Sequence, residues 1–167
     1  SGSPAVYESG DYNAALLTAD GRGLFTGVYV IRQAAALDVM VRCILDEFKD
    51  DIADGDMFLT NDPWYGSLHA MDYAVVAPVF AEGRLVAWTG ITMDEINLRA
   101  KIAAQVTTRE RLREIVTEYG LTTFLAVQEQ IVDYVKRSLK KRIAALPDGV
   151  FYCNTLLQHD GVNDRLY

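Results

Sequence analysis

Apolar residues in the first half of the chain occur in short runs separated by turn-forming residues, a pattern typical of β-hairpins. One apolar run covers 12–17 and a β-branched and aromatic run covers 24–30, with Asp20, Gly21 and Gly23 between them. Because these three residues favour a tight turn, the pattern predicts an N-terminal hairpin.

Two further apolar runs, 73–80 and 85–92, enclose Gly83 and predict a second hairpin, which a short strand at 57–60 precedes. Pro78 lies inside the first of these runs. Because proline has no N–H to donate to a strand ladder, we expect its strand to be at a sheet edge or bulged there. An apolar run at 151–157 predicts one more strand.

Apolar residues in three other segments recur at the spacings of three and four that mark one face of a helix. The first helix is predicted over about 32–49 on the stripe Leu37, Val41, Ile44 and Phe48. The second begins near Asn97 and stops at Gly120, a residue typical of helix C-termini. Its buried stripe is expected to comprise Leu98, Ile102, Val106, Leu112, Ile115 and Tyr119.

The third helix is predicted to run from a cap at Thr122 or Thr123 to the turn at 147–149. Together these elements predict one α+β region over 1–167, with antiparallel hairpins in the N-terminal half and a helical pair in the C-terminal half. The inner stripe of the third helix is expected to comprise Phe124, Val127, Ile131, Val135, Leu139, Ile143 and Leu146.

Composition limits the partners of the chain. The net charge of -7 and the pI of about 4.8 argue against nucleic acid, since phosphate binding needs clustered Lys and Arg. The basic run at 136–142 is interpreted as a solvated helix face. The sequence has neither an apolar run of membrane-spanning length nor a secretory leader pattern. Cys43 and Cys153 lack metal-site spacing and are expected to be buried thiols in a reducing cytoplasm.

The segment 55–72 combines a strand, a Pro-interrupted loop and a His-x-x-Asp pair, and such loops often present side chains to ligands. His69 and Asp72 carry imidazole and carboxylate groups, which are good ligands for a divalent transition metal and converge if the chain turns between them. The same two residues also fit a plain loop histidine and a turn aspartate, and both interpretations stay open. Gly66 is expected to supply a backbone angle that other residues resist.

Neighbouring residues of the same loop have two interpretations each. Asp62 either contacts a ligand, as a candidate catalytic group beside His69, or forms an Asx-turn before Pro63. Trp64 and Tyr65 either line a substrate pocket or pack over the hairpin. The sequence has no Walker-type loop, Gly-x-Ser-x-Gly elbow or dinucleotide fingerprint, so no nucleotide or organic cofactor site is predicted in this chain.

The order of motifs along the chain resembles the hydantoinase B family, which includes the large metal-bearing subunit of acetone carboxylase and its acetophenone carboxylase relatives. In the N-terminal half the resemblance depends on residues 12–16, 19–22, 55–56, 61–69, 72 and 78–80. In the C-terminal half it continues through 98–100, 103–104, 118–120, 144–149 and 160–161.

The resemblance implies a cytoplasmic subunit of a hetero-oligomer that works with an ATP-binding partner of the hydantoinase A type. The partner would phosphorylate a small ketone or cyclic amide, and this subunit would complete carboxylation or ring opening; the sequence does not choose between these chemistries. His69 and Asp72 resemble the metal ligands of the carboxylase branch. A manganese, zinc or iron ion that acts as a Lewis acid is therefore implied.

The chain departs from the family pattern in several places, one of which is the absence of the family's usual Pro and His near residues 30–33. The further histidine and Gly-rich segment that follow the Asn-Asp-Pro loop in the family are absent, and Asp94 is the candidate replacement ligand. The long segment between the two matching halves is also absent. Either the gene has lost it or this sequence skips it, and an internal break near 94–97 in a piece of a longer subunit is expected. Two other hypotheses stay open: a non-catalytic scaffold or binding subunit that has lost its metal site, and a stand-alone binding domain.

Overall fold

The structure, a computed structural model, describes residues 8, 10–93 and 97–153, without the side chain of Ala34. In this part of the chain, five antiparallel strands form one sheet in the order β2-β1-β5-β4-β3. The strands are β1 (Tyr12–Thr18), β2 (Gly23–Thr26), β3 (Phe58–Thr60), β4 (Tyr73–Ala81) and β5 (Arg84–Met93). The helices are α1 (Ile31–Phe48), α2 (Leu98–Tyr119) and α3 (Leu121–Ala144).

The predicted α+β class is confirmed, as are both hairpins, the short strand and the three helices. The predicted strand over 24–30 is too long, since β2 ends at Thr26. Pro78 is accommodated in the first of the predicted ways, at an edge, while it pairs in regular register with Trp88 of β5. The β3 strand covers β4 only from Ala74 to Val76, so the ladder on that side has ended before Pro78, and the β4–β5 register shifts between Val79 and Phe80.

Helices cover both faces of the sheet. On one face, α1 buries Leu37 and Val41 against Leu17 of β1 and Trp88 of β5. On the other face, residues of α2 and the start of α3 pack against β4 and β5 in a second cluster that contains Val79, Val86, Ala87, Leu112, Val116 and Phe124. Removal of these apolar side chains from water is the main favourable contribution to the stability of such a sheet.

The predicted inner stripe of α2 is wrong at four of its six members, since Leu112 is buried and Leu98 half-buried. Ile102, Val106, Ile115 and Tyr119 are between 42 and 58 % exposed. The helix is rotated so that a different stripe faces the sheet, made up of Lys101, Gln105, Arg109, Leu112 and Val116. Three of these five residues are polar, and side-chain hydrogen bonds to main-chain carbonyls account for their burial: Lys101 and Gln105 donate to carbonyls of β4, and Arg109 donates to the Asp56 carbonyl before β3.

The predictions for α3 and the cysteines also need correction. The helix begins at Leu121 directly after Gly120, so Thr122 and Thr123 lie within it and do not cap it. Of the predicted stripe, Phe124 is buried, and the members from Val127 onwards are exposed.

Cys153 is exposed and Cys43 half-buried, and both are free thiols. The basic residues at 136–142 are exposed, which confirms the solvated helix face.

The structure describes the predicted last strand only in part. Residues 151–153 of the predicted last strand are irregular, and its remainder at 154–157 lies outside the described residues, as do His159 and Asp160. Ser1–Val135 and Lys136–Tyr167 are two separate compact units. Within the described ranges, the helices are too short or too polar to cross a bilayer.

Candidate metal and substrate site

The loop between β3 and β4 is held in one shape by hydrogen bonds within it. Asp62 caps a single 3-10 turn, Pro63–Tyr65, by accepting a 2.9 Å hydrogen bond from the Trp64 N–H. The Asn61 side chain donates to the Ala70 carbonyl oxygen at 2.8 Å and so ties the two sides of the loop together. Asp62 therefore forms the Asx-turn, which is one of its two predicted roles.

Gly66 brings this loop against α1. Its φ of +106° lies in the left-handed region, and a Cβ atom at this position would lie 2.9 Å from the Ala36 carbonyl oxygen. A side chain would meet both a strained backbone and the helix main chain. The prediction that Gly66 supplies an angle that other residues resist is confirmed.

The loop ends in a turn that brings His69 and Asp72 together. The Asp72 N–H donates to the His69 carbonyl oxygen at 3.0 Å, and His69 Nε2 lies 3.6 Å from Asp72 Oδ2. His69 Nδ1 accepts a 3.3 Å hydrogen bond from the Met71 N–H. Since Nδ1 then carries no proton in the neutral ring, Nε2 carries it; Nε2 binds a metal only when that proton has moved to Nδ1 and the hydrogen bond from the Met71 N–H has broken.

The two oxygens of the buried Asp72 carboxylate have different surroundings. Asp72 is 1 % exposed, and its Oδ1 accepts a 2.9 Å hydrogen bond from Gln33 Nε2. Oδ2 has no hydrogen-bond donor among the described residues, and the His69 Nε2 separation of 3.6 Å is too long for a hydrogen bond. An unpaired buried carboxylate oxygen is costly, so this atom is suited to a bound cation or donor.

The separation of the two groups fits shared coordination of one ion. Two ligands that are each about 2.1 Å from an ion lie about 3.0 to 3.6 Å apart when the angle between them is about 90 to 120°. The 3.6 Å separation of His69 Nε2 and Asp72 Oδ2 is at the upper end of that range. Within the described ranges, no group of three His, Cys, Asp or Glu side chains is arranged to hold a metal. Among the described residues, the pair therefore supplies two ligands of a metal site and no third.

The third predicted ligand, Asp94, lies outside the described residues. The sheet register nevertheless fixes where β5 ends. Met93, the last residue of β5, pairs with Tyr73 of β4 on one side and Tyr12 of β1 on the other. Asp72 immediately precedes Tyr73, so the end of β5 and the His69–Asp72 pair belong to the same end of the sheet.

Asp62 and Tyr65 line a cavity of about 420 Å³ between α1, β3 and the loop. Its other lining residues are mostly apolar and include Phe48, Met57 and Phe58. The cavity is not lined by His69, Asp72 or Trp64, all of which the structure describes. The Trp64 side chain is 91 % exposed. The structure therefore brings Asp62 and Tyr65 to one cavity and His69 and Asp72 to another place on the same loop.

The Tyr65 hydroxyl lies beside a carboxylate of α1. The negative charge of Glu47, together with a hydrogen bond between the two side chains, raises the pKa of Tyr65 above its ordinary value of 10.0. The Tyr65 hydroxyl is the donor in its hydrogen bond to the Glu47 carboxylate at the wall of the cavity.

Sequence patterns missed the buried polar residues behind the site. Lys101 Nζ donates to the Tyr73 carbonyl oxygen at 2.5 Å, and Gln105 Nε2 donates to the Val75 carbonyl oxygen at 2.6 Å. Both side chains approach β4 from the face that α2 covers. The available signal was the four-residue spacing of Lys101, Gln105 and Arg109 on one helix face. Gln33, which bonds to Asp72, had no comparable signal.

Comparison with known proteins places these features in context. The family model described as hydantoinase B/oxoprolinase matches residues 1–95 and 92–166, so two stretches of the family model meet near residue 94. The acetophenone carboxylase delta subunit of Aromatoleum aromaticum (strain DSM 19018 / LMG 30748 / EbN1) is 38 % identical over 85 residues, which cover 51 % of this chain and 12 % of the relative. The acetone carboxylase alpha subunit of Xanthobacter autotrophicus (strain ATCC BAA-1158 / Py2) is 29 % identical over 91 residues, 53 % of this chain and 12 % of that subunit.

A solved structure has the same fold. The crystal structure of the ATP-dependent caprolactamase from Pseudomonas jessenii superposes with a TM-score of 0.78 at 20 % identity, over 84 % of this chain and 34 % of that one. The chain thus spans a small part of the length of the relatives that it matches, about one eighth for the two carboxylase subunits.

Proposed function

Because the chain belongs to the hydantoinase B/oxoprolinase family, we propose that it is part of a subunit of an ATP-dependent carboxylase or hydantoinase-type complex that acts on a small ketone or cyclic amide. The carboxylase subunits and the caprolactamase to which it is similar represent these two chemistries. The partner in this proposal is an ATP-binding subunit of the hydantoinase A type, and the location is the cytoplasm.

The proposed site holds a divalent ion, manganese, zinc or iron, between His69 and Asp72. One observation supports it above all others: Asp72 Oδ2 is buried without a hydrogen-bond donor among the described residues and lies 3.6 Å from His69 Nε2. Asp94 is the proposed third ligand. A divalent ion bound there supplies Lewis-acid polarisation of a carbonyl or enolate oxygen.

The chain's own residues orient these groups. Gln33 occupies Oδ1 of Asp72 so that Oδ2 is the oxygen left for the ion. His69 would bind the ion through Nε2 with its proton on Nδ1, which gives up the hydrogen bond from the Met71 N–H. His69 and Asp62 are the proposed catalytic groups, and Trp64 and Tyr65 the proposed substrate contacts. Of these four, Asp62 and Tyr65 lie on one apolar cavity of the size that small ligands need.

The test is the metal content of the complex purified with its partner. We expect near-stoichiometric manganese, zinc or iron in the unaltered complex and in the His159→Ala variant, which removes the only other histidine. His69→Ala should lose most of the metal. Equal metal content in all three proteins would overturn the proposed site.

The scaffold hypothesis is the second candidate. The observation in its favour is that the described residues supply two ligands of the right chemistry and no third. It predicts a metal-free complex whose assembly is unchanged by His69→Ala. Metal analysis and size measurement of the same preparations therefore separate the two candidates.

A further inference from the structure

Gln33 connects two carboxylates beneath the His69–Asp72 pair. It lies in the first turn of α1 and is 2 % exposed. Its Nε2 donates to Asp72 Oδ1 at 2.9 Å and to Asp11 Oδ1 at 3.1 Å. One amide nitrogen thus uses both of its N–H groups on acidic side chains that are 22 and 39 residues away in sequence.

The two carboxylates determine which way the amide faces. An amide turned the other way would place its oxygen against two carboxylate oxygens, and none of these atoms carries a proton when the acids are ionised. The observed orientation leaves Gln33 Oε1 buried and without a hydrogen-bond donor among the described residues. The structure therefore leaves one polar atom of Gln33 unpaired while its nitrogen holds both acids.

Gln33 also decides which oxygen of Asp72 is available. The Asp72 main chain is fixed by its N–H bond to the His69 carbonyl oxygen and by a 3.3 Å hydrogen bond from the Ser67 hydroxyl to the Asp72 carbonyl oxygen. The carboxylate itself can still rotate about its last bond, since that torsion is broad. The hydrogen bond from Gln33 holds Oδ1 in place and directs Oδ2 toward His69.

We propose that Gln33 is the positioning residue of the metal site: it holds the Asp72 carboxylate so that Oδ2, rather than Oδ1, binds the ion beside His69 Nε2. This inference rests on the proposed metal site. Loss of a partner that orients a metal ligand typically weakens metal binding about 10- to 100-fold. A residue with a purely structural role would change folding stability and leave the ligand geometry of the bound ion as it was.

The variant Gln33→Met tests this, because methionine keeps the length of the side chain and removes the donor. Its matched control is Gln128→Met in α3, where the Gln128 amide is also buried and donates to the Val86 carbonyl oxygen at 3.0 Å. In the purified complex, we expect the Kd for Mn²⁺ to rise about tenfold or more in Gln33→Met and to stay near the unaltered value in Gln128→Met. The visible spectrum of bound Co²⁺ should change in Gln33→Met alone.

The outcomes distinguish this inference from the proposed function. If His69→Ala does not weaken Mn²⁺ binding, the metal site itself is wrong. If His69→Ala weakens it and Gln33→Met leaves both the Mn²⁺ affinity and the Co²⁺ spectrum unchanged, the metal site stands and the role of Gln33 is overturned. Equal weakening in Gln33→Met and Gln128→Met would also overturn it, because the effect would then be general.

A measurement on the unaltered protein covers the case in which Gln33→Met does not fold. With ¹⁵N-labelled glutamine, addition of Zn²⁺ should shift the side-chain amide resonances of Gln33 more than those of Gln128, since only Gln33 bonds to a proposed ligand. Equal or absent shifts while Zn²⁺ is bound would contradict the proposal.

Discussion

His69 Nε2 faces Asp72 Oδ2 at 3.6 Å, and this oxygen is buried with no hydrogen-bond donor among the described residues. The other Asp72 oxygen is already bonded to Gln33. The pair therefore contains one buried acceptor that the surrounding described residues leave unsatisfied, and this feature separates it from an ordinary loop histidine beside a turn aspartate.

Asp72→Asn should abolish stabilisation of the protein by added metal. The substitution keeps the shape of the side chain and removes its buried charge, so we expect the metal-free variant to unfold at or above the temperature of the metal-free parent. Mn²⁺ at a hundred times its Kd should stabilise the parent by about 2.7 kcal/mol and leave the variant unchanged. Thermal unfolding with and without Mn²⁺ measures both effects, and an equal Mn²⁺ shift in the two proteins would refute the assignment of Asp72.

Gly66→Ala should destabilise the chain because the new Cβ meets both a left-handed backbone and the Ala36 carbonyl oxygen. Gly55→Ala is the matched control, since Gly55 has a φ of +102° and a Cβ added there would have no neighbouring atom within 4 Å. Backbone strain alone should cost about 1 to 3 kcal/mol in both variants. Urea unfolding should show a larger loss for Gly66→Ala, and equal losses would show that the contact with α1 contributes nothing.

Glu129→Gln should remove a loss of stability that sets in as the pH falls below the ordinary pKa of glutamate, about 4.3. Arg22 holds the Glu129 carboxylate through two hydrogen bonds, of 3.0 and 2.5 Å, and lowers the pKa of Glu129. Because the folded-state pKa lies below the unfolded one, the stabilisation is complete above the unfolded pKa and is lost as pH falls through the folded pKa.

The free energy of unfolding should therefore fall more steeply with decreasing pH in the parent than in Glu129→Gln. Glu118→Gln, at another exposed carboxylate, is the control and should keep the parent's slope. Identical slopes in the parent and Glu129→Gln would show that the ion pair with Arg22 does not form in solution.

Lys101→Met should be more destabilising than Ile102→Ser, although hydrophobic patterning alone predicts the reverse. Lys101 is fully buried and donates to the Tyr73 carbonyl oxygen, whereas Ile102 is 44 % exposed. Lys101→Met removes charged hydrogen bonds to the Tyr73 and Met93 carbonyl oxygens, and such bonds contribute about 1.5 to 3 kcal/mol each. Chemical unfolding of the two variants of the 167-residue chain decides the order, and a larger loss in Ile102→Ser would contradict the helix orientation described above.

Local patterns were sufficient for most of the fold. Turn residues at 19–23 and around Gly83 separate β-branched runs, and hairpins follow from contacts between neighbours in sequence. The rotation of α2 was not predictable in this way. The helix has an apolar stripe through Ile102 and Val106 and a polar stripe through Lys101 and Gln105, and tertiary hydrogen bonds to β4 place the polar one inside.

The candidate site was only partly predictable for the same reason. The three-residue spacing of His69 and Asp72 allows them to converge, and the structure shows that they do. Gln33 contacts Asp72 across 39 residues, a relationship that sequence spacing does not contain. The Asx-turn at Asp62 and the left-handed Gly66 follow from local turn chemistry, which is why sequence alone predicts the backbone of Gly66 and gives the Asx-turn as one of two interpretations of Asp62.

X-ray absorption at the edge of the bound metal tests the central claim most directly. In the purified, metal-loaded complex, we predict a first shell with nitrogen or oxygen ligands at about 2.0 to 2.2 Å and the multiple-scattering pattern of an imidazole, which should disappear in His69→Ala. A shell without imidazole, or one that is unchanged by His69→Ala, would show that the ion is not held by His69 and Asp72.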